Sequence, residues 1–232
     1  MIVCEYEFER PDPKNPSYSL VEVDIYGWIP RQFWGEVRDH RLSLRKNLKT
    51  GRFELYRHYY TDGYDEVIFA GSLEECLKKA EEEWKRFSQA FAILAKRGLK
   101  VDGMVQWFHL GDLFKGLGSK TIGTFTSMLS YRRTCSPNRY LIGFMRFEKS
   151  LPRIGEIEGE WVKASIRTPK HVADEIRAGE LPPASELTIK SAERVGGSGD
   201  GHSFAASALI PAGREEEFIE EFNYLIKDFT KS

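Results

Sequence analysis

The sequence has few of the residues that bring recognisable chemistry. Its three cysteines, Cys4, Cys76 and Cys135, are odd in number and far apart, and no C-x-x-C pair occurs. This pattern argues against a disulfide framework and against paired-cysteine zinc or redox motifs. The five histidines show no H-x-x-x-H spacing, so we predict neither a zinc site nor another metal site. No motif for a cofactor is present, and none is predicted.

Long hydrophobic runs are also absent. No stretch approaches the length needed to cross a bilayer, and the N-terminus lacks the basic start and apolar run of a signal peptide. We therefore expect a cytoplasmic protein without a membrane partner. Only four Asn and three Gln stand against 25 Glu and 34 Lys or Arg, a bias seen in proteins from hot environments.

What the chain does contain is enough apolar material to fold and an uneven distribution of charge. With 232 residues, 41% of them hydrophobic, it can form one domain or two. Residues 41–60 hold six Lys or Arg and one Glu, whereas residues 61–83 hold eight acids and two Lys. Residues 84–150 hold twelve bases and three acids. Such blocks mark either a surface for an anionic partner or local helix electrostatics.

The first hundred residues have the alternating pattern of an antiparallel sheet. Apolar and polar residues alternate over 2–9 and 21–26, which predicts two strands. Residues 41–46 and 52–60 flank a short glycine-containing linker and predict a hairpin, and residues 66–70 predict a further strand.

One long helix follows these strands. Apolar residues recur at steps of three and four from Leu73 to Leu94, which places them on one helical stripe. Ser72 and Glu75 have the spacing of a capping box, and Gly98 ends the pattern. The bulky aromatic residues of the stripe favour packing against the preceding sheet over a coiled coil.

The second half predicts strands at 101–110, 140–148, 161–167, 187–195 and 204–210, and helices at 119–133, 169–178 and after residue 215. The first six elements have the βαββαβ order of ferredoxin-like folds. We therefore predict an α+β protein, with an antiparallel sheet packed under one long helix and then a ferredoxin-like lobe with an extra strand and a C-terminal helix. The predicted domains are 1–100 and 101–232, although one continuous domain stays open.

Two basic clusters are candidate binding sites for an anion or a nucleic acid. Guanidinium groups beside aromatic rings can hold phosphates and stack on bases. The alternative for the hairpin cluster is a solvated edge whose charges block strand addition. The hairpin cluster consists of Arg41, Arg45, Lys46, Lys49, Arg52 and Tyr56, and the second cluster consists of Arg132, Arg133 and Arg139.

Three further segments are candidates for chemistry. Cationic neighbours would favour the reactive thiolate of Cys135, and the alternative is an ordinary loop cysteine. The turn at 116–121 offers amides to an anion without matching a P-loop, and the alternative is a capped turn before a helix. The glycine-rich run at 196–203 contains Asp200 and His202, which could act as general acid and base. A mobile hairpin loop would have the same composition.

The function that the sequence favours is a non-enzymatic binding role toward an anionic partner, most plausibly a nucleic acid, through the basic hairpin. One alternative is an enzyme that acts on a small phosphorylated or acidic substrate at 196–203. Another is an assembly or scaffold protein that makes contacts through the aromatic segment 26–34. The sequence leaves a homo-oligomer open.

Overall fold

The structure is a computed structural model that describes residues 3–11, 18–26, 42–59, 64–148, 150–151 and 155–231. It confirms the predicted α+β class. The chain divides into two compact units, Met1–Gln89 and Ala90–Ser232. Arg41 and residues 27–34 of the predicted contact segment lie outside the described residues. Within the described part of the chain, no helix is both long enough and apolar enough to span a membrane.

The first unit contains a five-stranded antiparallel sheet in which the strands follow one another in chain order. Its strands are β1 (Val3–Pro11), β2 (Tyr18–Tyr26), β3 (Leu42–Asn47), β4 (Phe53–Tyr59) and β5 (Tyr64–Gly71). The predicted hairpin is the β3–β4 pair, in which Leu44 lies opposite Leu55.

Helix α1 (Leu73–Arg97) begins and ends where the sequence predicts. Its capping box forms, because the Ser72 amide donates to the Glu75 carboxylate at 2.7 Å and the Glu75 amide donates to the Ser72 hydroxyl at 3.2 Å. These bonds lower the pKa of Glu75. Cys76 and Ala80 of α1 pack with buried residues of β3 and β4, so the first sheet is covered by the helix as predicted.

The second unit is built around a six-stranded mixed sheet with the order β12-β13-β11-β8-β7-β6. Strands β7 and β8 pair in parallel and the other neighbours pair antiparallel. The sheet strands are β6 (Lys100–Asp102), β7 (Val105–His109), β8 (Tyr140–Arg146), β11 (Trp161–Arg167), β12 (Ser198–His202) and β13 (Ala205–Pro211). A separate two-stranded ribbon is formed by β9 (Ser150–Leu151) and β10 (Gly155–Glu156).

Helices lie on both faces of this sheet. Helices α3 (Lys170–Ala178), α4 (Ala184–Arg194) and α5 (Glu215–Phe229) share one apolar core with alternate residues of the strands, among them Ile142, Ala164 and Ala208. Helix α2 (Thr121–Ser130) lies on the opposite face, where Thr126 approaches Gly143 and Gly123 accepts a hydrogen bond from Arg167. Each central strand thus has apolar side chains on the face toward α3–α5 and a mixture of apolar, small and polar residues on the face toward α2.

The predicted strand at 187–195 is wrong, because these residues belong mostly to α4. The β-branched pair Thr188 and Ile189 favoured a strand. The buried positions of the helix are nevertheless spaced by three and four residues, as a helix requires. They are Ala184, Leu187, Thr188, Ser191 and Ala192.

The order of strands also differs from a ferredoxin-like sheet. Strand β7 pairs directly with β8, whereas the split βαβ unit places another strand between its two parallel strands. The segment predicted as one strand at 101–110 is a hairpin of β6 and β7, in which Gly103 adopts a φ of 52°. Its Asp102-Gly103 turn is held by Asn223 of α5, which accepts from the Met104 amide and donates to the Asp102 carbonyl.

Candidate anion-binding face

The glycine-rich run is a strand with strict alternation. Gly197, Gly199 and Gly201 alternate with Ser198, Asp200 and His202, and the three polar residues are exposed. Because successive side chains of a strand point to opposite faces, the glycines face one side of the sheet and the polar side chains face the other. The predicted mobile loop is therefore wrong, and the period of two was the signal that could have identified the strand.

The glycines let α4 lie directly on β12. A Cβ atom at Gly199 would be 3.0 Å from the Thr188 carbonyl oxygen of α4, and one at Gly201 would overlap the Ala206 Cα atom. Gly201 also has a φ of 152°, which L side chains rarely adopt. Close packing of backbone on backbone thus explains the glycines without a ligand.

The polar residues of β12 belong to a larger surface, which we call the polar face. Its members lie on neighbouring strands in register, so that Arg167, Ala205 and His202 form one row and Ser165, Ser207 and Asp200 form the next. The outer residues of a row are about 10 Å apart at the backbone, with a small residue between them. The polar face consists of Lys163, Ser165, Arg167, Ser198, Asp200, His202, Ala205 and Ser207. Leu209 lies between Lys163 and Ser198 in the third row, and Ser165 is buried beside α2.

Lys163 is a half-buried cation of this face. Its ammonium group donates to the Ser207 hydroxyl at 3.1 Å. Burial lowers the pKa of Lys163, and the negative charge of Asp200 partly opposes that shift. Among the described residues, no carboxylate lies within ion-pair distance of the Lys163 ammonium. The positive charge is therefore held partly out of water with a hydroxyl as its hydrogen-bond partner.

Arg167 contributes a guanidinium group in a fixed orientation. Its Nη1 donates to the Ser165 hydroxyl at 3.1 Å and to the Ile166 carbonyl at 2.8 Å, and its Nη2 donates to the Gly123 carbonyl at 3.1 Å. These bonds join β11 to the first turn of α2. The side chain thus has a structural role and places a positive charge on the polar face.

Asp200 and His202 do not form the hydrogen-bonded pair that an acid–base dyad would use. One carboxylate oxygen of Asp200 accepts from the Gly201 amide at 2.7 Å. In the described part of the chain, no hydrogen bond joins Asp200 to His202. The two residues are two positions apart on one strand, which separates them by about 7 Å.

Lys163, Arg167 and Ser207 of the polar face are not among the residues predicted from the sequence. The alternation of apolar residues predicts β11 but does not show which polar residues of other strands lie beside it. Their cross-strand neighbours could not be found while residues 198–202 were taken for a loop, because the register of β12 with β13 brings the three strands together.

The residues of the basic hairpin have neighbours within the first unit. The Lys46 ammonium lies 5.8 Å from the centre of the Phe53 ring, Arg52 donates to the Ala70 carbonyl at 3.1 Å, and Tyr56 donates to Glu54. Lys49 is exposed, and Arg45 lies opposite Glu54 in the strand register. The solvated-edge interpretation is wrong, because β3 also pairs with β2 and β4 also pairs with β5, so the hairpin lies inside the sheet. The hairpin stays a prediction as a binding site.

The second basic cluster lies around the turn after α2. The Arg132 guanidinium stacks on Phe91, 3.5 Å from the ring centre, and Arg139 donates to the Gly103 carbonyl at 3.3 Å. Arg133 is exposed. Two of the three predicted arginines thus make contacts within the second unit, and their role in binding stays a prediction.

The hypothesis of a reactive Cys135 is wrong. Its side chain is buried, and burial raises the pKa of the thiol to about 12. The Gln106 amide lies 3.2 Å from the sulfur and also donates to the Ser136 and Arg139 carbonyls. The environment of the thiol is set by burial and by this amide, and the arginine charges that the hypothesis invoked do not lower its pKa.

The turn at 116–121 leads into α2 without the geometry of a phosphate loop. Gly116 donates its amide to Glu148, and the Thr121 hydroxyl donates to the Leu117 carbonyl at 2.7 Å. Gly116 and Gly118 adopt φ values of 81° and 89°, so the glycines serve the turn.

Two cavities lie in the second unit away from the polar face. One, of about 230 Å³, is lined by Leu187 and Phe229, and the other, of about 280 Å³, by Trp107 and His109. In the second, His109 accepts from the Gly111 amide at 2.8 Å and contacts Glu215 at 3.2 Å, and burial lowers its pKa. Among the described residues, no cluster of His, Cys, Asp or Glu could hold a metal ion.

Comparisons with known proteins show only distant similarity. No family model and no curated protein matches the sequence. The C-Ala domain of Aquifex aeolicus alanyl-tRNA synthetase aligns with 55% of this chain and 96% of its own, with 12% identity and a TM-score of 0.39.

Two other solved structures align with part of the chain. A pGpG-specific phosphodiesterase from Vibrio cholerae aligns over 69% of this chain and 46% of its own, with 16% identity and a TM-score of 0.36. The DHH domain of a member of a ribosomal-protein family aligns over 68% of this chain and 32% of its own, with 15% identity and a TM-score of 0.36. At these scores the similarities carry no functional argument.

Proposed function

We propose that this protein binds an anionic partner of the nucleic-acid class and that a phosphate of this partner lies on the polar face. The observation that carries the proposal is the environment of Lys163. A cation held partly out of water is costly unless an anion compensates it. Its hydroxyl partner supplies no compensating charge. A phosphate group would supply that charge.

The arrangement of the neighbouring residues supports the same ligand. Arg167 adds a second positive charge on the same strand, and Ser207 adds a hydroxyl group on the row between the two cations. Ala205 and Ser207 are the small residues in the middle of two rows, and charge-assisted hydrogen bonds from Lys and Arg are the strong contacts of phosphate sites. His202 lies in the row of Arg167 and can donate to a further phosphate oxygen.

The test is the affinity of the full-length protein for a fluorescein-labelled single-stranded 12-nucleotide oligomer, measured by fluorescence anisotropy. We expect Lys163→Met to weaken binding about tenfold or more, which corresponds to about 1.4 kcal/mol. Methionine keeps most of the length and apolar surface of the stem, so the fold is retained.

The matched control is Lys190→Met, because Lys190 is an exposed lysine of α4 that pairs with Glu186. We expect this variant to bind within about twofold of the original protein. Equal affinities of the original protein and Lys163→Met would contradict the proposal.

The basic hairpin is the second candidate surface for the same partner. It is favoured by the net positive charge of residues 41–60 and by the exposed Lys49 at its turn. Charge reversal of Arg45→Glu together with Arg52→Glu weakens binding if the hairpin contacts the nucleic acid. Full affinity after both changes would remove the hairpin from the binding surface and would leave the polar face as the proposed site.

A further inference from the structure

Asp200 is the acidic residue of the polar face, and binding of a phosphate alone does not explain a carboxylate at this position. It lies opposite Ser207 on the strand next to β13, and its side chain is exposed. One of its oxygens is occupied by the Gly201 amide. A carboxylate among cations weakens a pure phosphate site through repulsion, since like charges at short range are unfavourable.

The charge of Asp200 is balanced only in part, by the attraction of Lys163. It acts on Lys163 from a distance, yet no ion pair closes the gap between these two described residues. Lys163 is held instead by Ser207, which lies between the two strands that carry the charges. Lys163 and Asp200 thus lie on the two strands that flank Ser207, where the ammonium can donate to a ligand and the carboxylate can accept from it.

The chemistry of an ionised carboxylate specifies the donor. It only accepts hydrogen bonds, so the group that it contacts must carry an O–H or N–H. Within an RNA chain the free hydroxyl of each ribose is the 2′-hydroxyl, which lies beside the 3′-phosphate, and a carboxylate that accepts from it is a known way to recognise ribose. The 2′-hydroxyl is also the group by which a protein distinguishes RNA from DNA.

We infer that Asp200 accepts a hydrogen bond from a ribose 2′-hydroxyl while Lys163 contacts the adjacent phosphate, so that the partner is single-stranded RNA and DNA is disfavoured. This inference rests on the proposed function of the polar face and specifies its ligand. Deoxyribose offers no donor at this position, which leaves the repulsion between Asp200 and the phosphate without compensation.

The experiment compares three labelled oligomers that differ only at the 2′ position: oligouridylate, oligodeoxyuridylate and 2′-O-methyl oligouridylate, each of 12 nucleotides. We expect the full-length protein to bind the ribose oligomer at least about tenfold more tightly than the deoxyribose oligomer, as for one hydrogen bond to a charged group. The 2′-O-methyl oligomer, which cannot donate, should bind as weakly as the deoxyribose oligomer.

Variants of Asp200 distinguish recognition of the ribose by this residue from a purely structural role. Asp200→Ala should bring the ratio of the ribose to the deoxyribose oligomer close to one, with tighter binding of the deoxyribose oligomer because a repulsive charge is removed. Asp200→Asn keeps an acceptor and should restore part of the preference. Glu193→Ala removes an exposed acid of α4 and should leave the ratio unchanged.

The outcomes distinguish the inference from the proposed function. Equal binding of the three oligomers by the original protein, with loss of all of them in Lys163→Met, would overturn the role of Asp200 and keep the phosphate site. An equal loss of both affinities in Asp200→Ala would also overturn it, since a structural role weakens every ligand alike. Failure of Lys163→Met to weaken any of the oligomers would contradict the proposed function itself.

Discussion

The Lys163 side chain owes its properties to the strand on which it lies. Position 163 of β11 places the stem between neighbouring side chains and leaves the ammonium group beside Ser207. Burial then lowers the pKa of the amine. None of this is visible in the composition, since Lys163 lies outside the basic blocks of the sequence. The sequence shows which side chains carry charge. Which of them lie close together depends on the register of β11, β13 and β12.

The reactivity of Cys135 tests whether its thiol is buried as the structure shows. Its thiol is buried and its pKa is raised to about 12 by burial, so almost no reactive thiolate exists near neutral pH. We expect iodoacetamide to modify Cys135 at least about tenfold more slowly in the folded protein than in urea, as followed by peptide mass spectrometry. Equal rates in the two states would show that the thiol is accessible.

The helices and strands show which sequence patterns are sufficient to predict an element. Helix α1 was predicted from its stripe and capping box because both are local, and its bounds follow from them. Helix α4 was mistaken for a strand because two β-branched residues outweighed the spacing of small buried residues such as Ala184 and Ala192. Strand β12 was mistaken for a loop because glycine has low strand propensity. The glycines are explained by tertiary packing, of Gly199 against α4 and of Gly197 and Gly201 against β13.

Gly199→Ala tests that packing directly. A Cβ atom at this position would be 3.0 Å from the Thr188 carbonyl oxygen, so β12 and α4 must separate. We expect a loss of about 1–3 kcal/mol in the free energy of unfolding, measured by urea denaturation.

Ser198→Ala is the matched control for this change, because Ser198 lies on the same strand and faces the exposed side. It should change the stability by less than about 0.5 kcal/mol. Stability of Gly199→Ala equal to that of the original protein would contradict the close contact.

Over the whole molecule the positive and negative charges nearly cancel. The positions of the charges are therefore more informative than their sum. A net charge of −1 gives no general attraction to a polyanion. Part of the block pattern belongs to helix ends, since Glu74 and Glu75 open α1 and Lys96 and Arg97 close it. The proposed binding of a nucleic acid therefore requires a local site, and the polar face is the site that we propose for it.

The most direct test of this account is an NMR titration of the ¹⁵N-labelled full-length protein with the 12-nucleotide oligouridylate. We predict that the amide signals that shift first belong to Lys163–Arg167 of β11 and to the β12–β13 hairpin from Asp200 to Ser207. Shifts confined to the basic hairpin at 46–52, with the polar face unchanged, would contradict the account.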